Sequence, residues 1–178
     1  MGRAAGFVRN IMVGRNGLTR DVLLRAFDEA GATGTRSYLT TGNVTFEIAD
    51  PLDATFASRV EDCIEKVLGR REPIFIRTVE HLADLVESGP FAGVDSTAVH
   101  ERCVTFLPSE RPWNGQLPVV GRRQDVTVFA AVGADVFSTT RLVGGRPGTA
   151  GPLIEKATKV GVTTRNWNTI ERMVRSPD

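Results

Sequence analysis

The chain has 178 residues, of which 41% are hydrophobic and 24% charged, with a formal net charge of +1. That composition excludes a disordered or low-complexity chain, and the length suits one ordinary domain or two small ones, burying about 70% of the unfolded surface. Near-neutral charge argues against a large nucleic-acid footprint while leaving a local one open, and no apolar run approaches the ~18 residues of a membrane span.

Ala5–Val13 reads as a first strand, with Phe7, Arg9, Ile11 and Val13 on one face. After a turn at Gly14–Gly17, Thr19 is a natural N-cap for a helix in which Leu23, Ala26, Phe27 and Ala30 recur at helical spacing, and Gly31 stops it. Thr35–Thr40 and Val44–Ile48 form a hairpin around Gly42-Asn43, residues that tolerate the positive φ of such a turn. Asp50-Pro51 opens a second helix with Leu52, Phe56, Val60, Cys63, Ile64 and Val67 as its apolar stripe. Pro73–Arg77 is a fourth strand, and Thr78 caps a short helix ended by Gly89-Pro90, with Leu82, Leu85 and Val86 inward. The first six elements follow the β-α-β-β-α-β order of the ferredoxin-like plait.

A similar order restarts after a bridge over residues 92–98. Arg102–Leu107 is a strand, and Val126–Val132 with Val136–Thr140 is a hairpin around Gly133-Ala134. Pro152–Val160 is a helix, Gly161–Thr164 a short strand, and Trp167, Ile170, Met173 and Val174 mark a last helix. Between residues 108 and 123, Pro108, Pro112, Gly115, Pro118 and Gly121 leave room for little helix. The expected architecture is therefore α+β: two ferredoxin-like subdomains in tandem, residues 1–92 and 98–178, with antiparallel sheets and a C-terminal helix.

Charge is uneven. From Phe137 onward seven Lys and Arg face three acids, a net +4, which leaves −3 for the rest. Such a basic end attracts an anionic ligand or meets acidic groups of the same molecule. Cys63 and Cys103 belong to no CxxC or Cys/His ligand spacing, and no secretory leader pattern precedes the first strand, so a reducing, cytoplasmic setting is expected.

The chain contains no GxSxG, GxxxxGK[ST], HExxH or GxGxxG motif, and His81 and His100 lack supporting ligand spacing, so neither a metal nor a cofactor is expected. Gly144–Gly151 sits between a strand and a helix, where backbone N–H groups can cradle phosphate, but it has neither the lysine nor the glycine spacing of a phosphate loop and reads as a flexible surface loop. No catalytic motif supports an enzyme.

Two constellations stand out. In Thr163–Thr169, Thr163 or Thr164 is the expected N-cap of the last helix, which puts Arg165 in the first turn, against the helix dipole at a cost of about 0.3–1 kcal/mol. Arg165 there calls for a carboxylate of its own chain or a bound anion. Arg9 interrupts an apolar face of the first strand, where a charge needs a partner, either a salt bridge between the halves or a ligand. Arg9, Asn10, Asn43, Thr164, Arg165 and Asn166 are the candidate ligand-binding residues.

These same stretches carry a resemblance. Phe7-Val8-Arg9-Asn10-Ile11-Met12-Val13-Gly14 resembles the LLRGINVGG opening of a bacterial family known as domain of unknown function 1697. Tyr38–Phe46 is similar to its YxxSGNVxF segment, and Gly89-Pro90-Phe91, Val104–Leu107 and Thr163–Thr169 match later motifs in the same order. Asn10, Met12, Arg15 and Thr41 depart from the pattern, whereas Arg9, Gly14, Gly42, Asn43, Arg165, Asn166 and Trp167 keep it. The resemblance implies two tandem α/β plaits and brings no activity with it. The expectation is a cytoplasmic binding or accessory protein with a polar site between its halves for a small anionic ligand such as a nucleotide. An enzyme using the same cleft, or a structural protein whose motifs lock the halves together, are the alternatives. No membrane partner is expected, and nothing in the pattern assigns an oligomeric state.

Overall fold

The structure, a computed structural model, describes residues 2–49 and 54–176. It divides into two compact units, Met1–Asp84 and Leu85–Pro177.

In the first unit the elements run β1 (Gly2–Val8), α1 (Arg20–Glu29), β2 (Thr33–Tyr38), β3 (Asn43–Ile48), α2 (Phe56–Leu68) and β4 (Ile74–Thr78), and α3 (Val79–Glu87) straddles the division. The strands form one antiparallel sheet in the order β2-β3-β1-β4. Strand alternation puts Ala4, Val8, Val44, Phe46 and Ile74 on one face, where Leu23 and Phe27 of α1 and Phe56, Val60 and Ile64 of α2 complete the core. The rings of Phe27, Phe46 and Phe56 meet with centroids 5.0–6.3 Å apart.

Several local expectations hold. Thr19 Oγ1 accepts from the N–H of Val22 at 3.2 Å, and Thr78 Oγ1 accepts from that of His81 at 3.1 Å. Val67, assigned to the inward stripe of α2, is instead exposed. The opening of that helix at Asp50-Pro51, with Leu52, lies outside the described residues. The first strand is shifted: it starts at Gly2 and ends at Val8, because Asn10 takes a left-handed conformation (φ 53°) that no strand sustains. Arg9 therefore follows the strand instead of interrupting its face.

The second unit contains β5 (Glu101–Phe106), β6 (Val119–Val120), β7 (Val126–Val132), β8 (Asp135–Thr140), a small hairpin of β9 (Leu142–Val143) and β10 (Arg146–Pro147), α4 (Ala150–Thr158), β11 (Thr163–Asn166) and α5 (Trp167–Arg175). Its main sheet is antiparallel in the order β11-β5-β8-β7-β6. No helix occurs between β5 and β7, as the prolines there dictate. One face of the sheet packs Val126, Val128 and Val136 against Ala150 and Ile154 of α4. The other carries an aromatic group in which Phe91 contacts Phe129, Phe137 and Trp167 at 5.3–5.8 Å. Between Val128 and Ala130 the register against β8 shifts, so Phe129 is one extra residue, a β-bulge.

The Gly144–Gly151 stretch forms the turn and second strand of the β9–β10 hairpin and then enters α4. Gly144 and Gly145, at φ 60° and 74°, make its turn, while a Cβ at Gly148 would lie 2.3 Å from the carbonyl oxygen of Asp125. These glycines answer backbone geometry and close packing.

Candidate functional site

The antiparallel pairing of β11 with β5 sets the layout of the Thr163–Thr169 run. Thr164 faces Thr105, Arg165 faces Val104 and Asn166 faces Cys103. Directly paired residues share a face, so Thr164 and Asn166 lie on one side of the sheet and Arg165 on the other. Thr164 Oγ1 is 2.8 Å from Thr105 Oγ1, a bond beneath α4 that ties the two strands.

The N-cap of α5 is Asn166, not Thr163 or Thr164. Its Oδ1 accepts from the N–H of Asn168 at 3.0 Å, with Asn166 in an extended conformation. The strand runs to Asn166, two residues beyond where the sequence pattern ends it, because Thr163, Thr164 and Arg165 suit a pleated edge and asparagine is the better cap. Arg165 accordingly precedes the helix, and the opposing-dipole argument no longer applies to it. Its Nη1 donates to the carbonyl oxygen of Thr164 at 2.9 Å, and its Nε is shielded from solvent. Burial pulls its pKa down to about 10, which keeps it charged at neutral pH.

Where β5 begins and β11 ends, Ser96, Val99, His100, Glu101, Arg102, Asn166 and Asn168 line a polar cavity of about 410 Å³. Arg102 Nη2 donates to Asn168 Oδ1 at 2.8 Å and stands 3.9 Å from Glu171 Oε2. The Arg102 guanidinium also lies over the Phe91 ring, 5.6 Å from its centroid, so the aromatic group fixes the position of the charge. Asn166 Nδ2 donates to Glu101 Oε1 at 3.3 Å, and the N–H of His100 donates to the carbonyl oxygen of Thr140 at 2.7 Å, anchoring the approaching segment. The cavity thus offers one guanidinium, one carboxylate, an imidazole and two amides, next to the N-terminus of a nine-residue helix.

Of the six candidate residues, Asn166 alone lines this cavity. Ser96, Val99, His100, Glu101, Arg102 and Asn168 complete its lining, and among them Arg102 and Asn168 bond to each other. Arg102 sits in a strand that reads from sequence as apolar, and the signal for it was the charge opening an otherwise buried run, the same irregularity that drew notice at Arg9.

Arg9, Asn10 and Asn43 belong to the first unit. Asn43 is fully buried, and its Nδ2 donates to the carbonyl oxygen of Tyr38 and to Thr41 Oγ1, both at 3.0 Å, which closes the β2–β3 turn. Gly42 (φ 74°) is needed in that turn, since a Cβ there would come within 2.6 Å of Ile11 Cδ1. The loops of the two N-terminal motifs are joined by the N–H of Val13 donating to Thr40 O and that of Val8 to Gly42 O. Asn10 is exposed, and its carbonyl oxygen accepts from Arg70 Nη2 at 3.1 Å. Arg9 is half-buried, and its N–H donates to the carbonyl oxygen of Pro73. Arg77, which no sequence pattern marks, is a buried cation on β4 whose Nη1 donates to Ile76 O.

Among the described residues, no cluster of three or more His, Cys, Asp or Glu is placed to hold a metal ion, and no helix is long and apolar enough to cross a membrane.

The fold is that of a mixed α/β protein with antiparallel sheets and, among the described residues, five helices. Residues 1–137 match the family described as "Protein of unknown function (DUF1697)", and the chain belongs to that family. The match ends within β8, so Thr163–Thr169 lies beyond it. A solved structure described as that of the conserved bacterial protein SP0830 from Streptococcus pneumoniae is similar, with a TM-score of 0.67, 18% sequence identity and 99% of each chain covered. No curated protein matches the chain in sequence.

Proposed function

We propose that the protein is a cytoplasmic binding protein built from two variants of the ferredoxin-like plait, and that its second unit takes a small ligand bearing an anionic group. One observation carries this reading: Arg102, Asn166, Asn168 and His100 converge with Glu101 around a cavity of about 410 Å³, within the usual size range of small-molecule sites. Arg102 supplies the positive charge, and the N-terminus of α5 favours an anion beside it. Glu101 calls for donors on the same ligand, such as sugar hydroxyls. A nucleotide or a phosphorylated sugar meets both requirements.

A thermal-shift screen against nucleotides and phosphorylated metabolites tests the proposal. A true ligand at 100 times its Kd adds about 2.7 kcal/mol of stability, and Arg102→Ala or Asn168→Ala should remove that gain. Absence of a shift from every anion in the screen would refute the proposal.

A further inference from the structure

A second cavity, of about 510 Å³, opens in the same unit and shares Val99 with the first. Its sheet wall is Thr127 and Thr139, which pair directly across β7 and β8 on the face away from α4. Phe129 forms an apolar wall. The bulge adds this residue to its strand, and the ring packs edge-on against Phe91 (5.5 Å, 73°), which holds it in place while leaving the residue half-exposed.

Two opposite charges complete the lining. Arg141 is exposed and makes no ion pair among the described residues. Its neighbourhood carries an excess of positive charge: the N–H of Arg141 donates to Asp125 O, Arg123 donates to Val143 O and is paired with the Asp125 carboxylate at 3.6 Å, and Arg122 and Arg146 are exposed on the same turn and hairpin. Such a field draws anions toward the cavity. Asp95 Oδ1 accepts from the N–H of Thr97 at 2.9 Å and from its hydroxyl at 2.7 Å, bonds that orient the carboxylate and lower its pKa, so it stays ionised at neutral pH. A simple anion would satisfy Arg141 but not Asp95, and neither would give the apolar wall a purpose.

We propose that this cavity binds a small zwitterion with an apolar body, of the α-amino-acid class. Arg141 takes the carboxylate, Asp95 the ammonium, and the apolar side chain lies against Phe129 and Val99. This site uses none of the side chains assigned to the anionic ligand except the shared Val99, so either proposal can fail alone.

Ligand-observed NMR with three probes tests it: L-phenylalanine, 3-phenylpropionate, which lacks the amine, and phenethylamine, which lacks the carboxylate. L-phenylalanine should bind at least about tenfold more tightly than either single-charge probe. Arg141→Gln should weaken L-phenylalanine and 3-phenylpropionate about tenfold and spare phenethylamine. Asp95→Asn, whose amide oxygen can still accept from Thr97, should weaken L-phenylalanine and phenethylamine and spare 3-phenylpropionate. Phe129→Ala should weaken all three, and Asn168→Ala none. Circular dichroism checks that each variant is folded. The proposal is overturned if no probe binds, if 3-phenylpropionate binds as well as L-phenylalanine, or if Asn168→Ala weakens L-phenylalanine as much as Arg141→Gln does.

Discussion

Both sheets place their strands in one order. In the first, β1 lies between β4 and β3, with β2 outermost; in the second, β5 lies between β11 and β8, with β7 next. The units differ in what joins their first two strands. The first uses α1, which buries Leu23, Ala26 and Phe27 on the sheet. The second uses the proline-bearing residues 108–123, which pack Trp113, Leu117 and Val119 against the corresponding core and add β6 as an extra edge strand. The same strand order thus forms with either a helix or an extended segment as the connection, provided that the connection delivers apolar side chains to one face of the sheet. What the layer needs is covered area more than a particular secondary structure.

Three measurements sharpen or break that comparison. The largest effect belongs to Phe27→Ala, since the ring is fully buried and touches those of both Phe46 and Phe56. A loss of about 3–5 kcal/mol is expected in urea denaturation followed by circular dichroism. Trp113→Ala should cost less, about 1–3 kcal/mol, because Trp113 is half-buried and its Nε1 already bonds Gly115 O at 2.8 Å in its own segment. Fluorescence of the remaining Trp167 reads that loss, and a value matching that of Phe27→Ala would show the extended segment to be as costly to disturb as a helix.

The smallest effect needs no substitution. Each unit has one free cysteine: Cys63 on α2 is half-buried, while Cys103 on β5 is buried, which pushes its thiol up to about 12. At pH 8 a disulfide reagent should label Cys63 first, and Cys103 only as the second unit opens. Trp113→Ala should speed the second step alone. The sign for pH follows from the same shift. A thiol whose native pKa lies above its unfolded value of 9.0 contributes stability below pH 9, and that contribution falls as pH climbs toward 12.

The sequence exposed most elements through period and capping: Thr19, Gly31, Thr78 and the Gly133-Ala134 turn mark real boundaries. It failed where one residue's conformation overrode a good pattern. Val8-Arg9-Asn10-Ile11 alternates like a strand, yet Asn10 at positive φ ends it. Of the cavity's lining, the sequence pattern singles out Asn166 alone. Thr163–Thr169 contributes Asn166 and Asn168 to the cavity, but which of its side chains face it depends on the register with β5, which no local pattern encodes. Arg102 and Asn168 meet through a contact 66 residues apart in the chain, and such a pairing exists only once the sheet has formed.

The bulge at Phe129 has a consequence for how this fold can change. Val128 pairs with Ser138 and Ala130 with Phe137, two consecutive rungs, so the ladder is complete without the residue between them. Phe129 is in that sense a graft: it can be exchanged, or deleted outright, without moving any strand to a new register. The cavity wall and the scaffold are then separable units of variation, and relatives with the same sheet are free to carry a different ring at this position, or none.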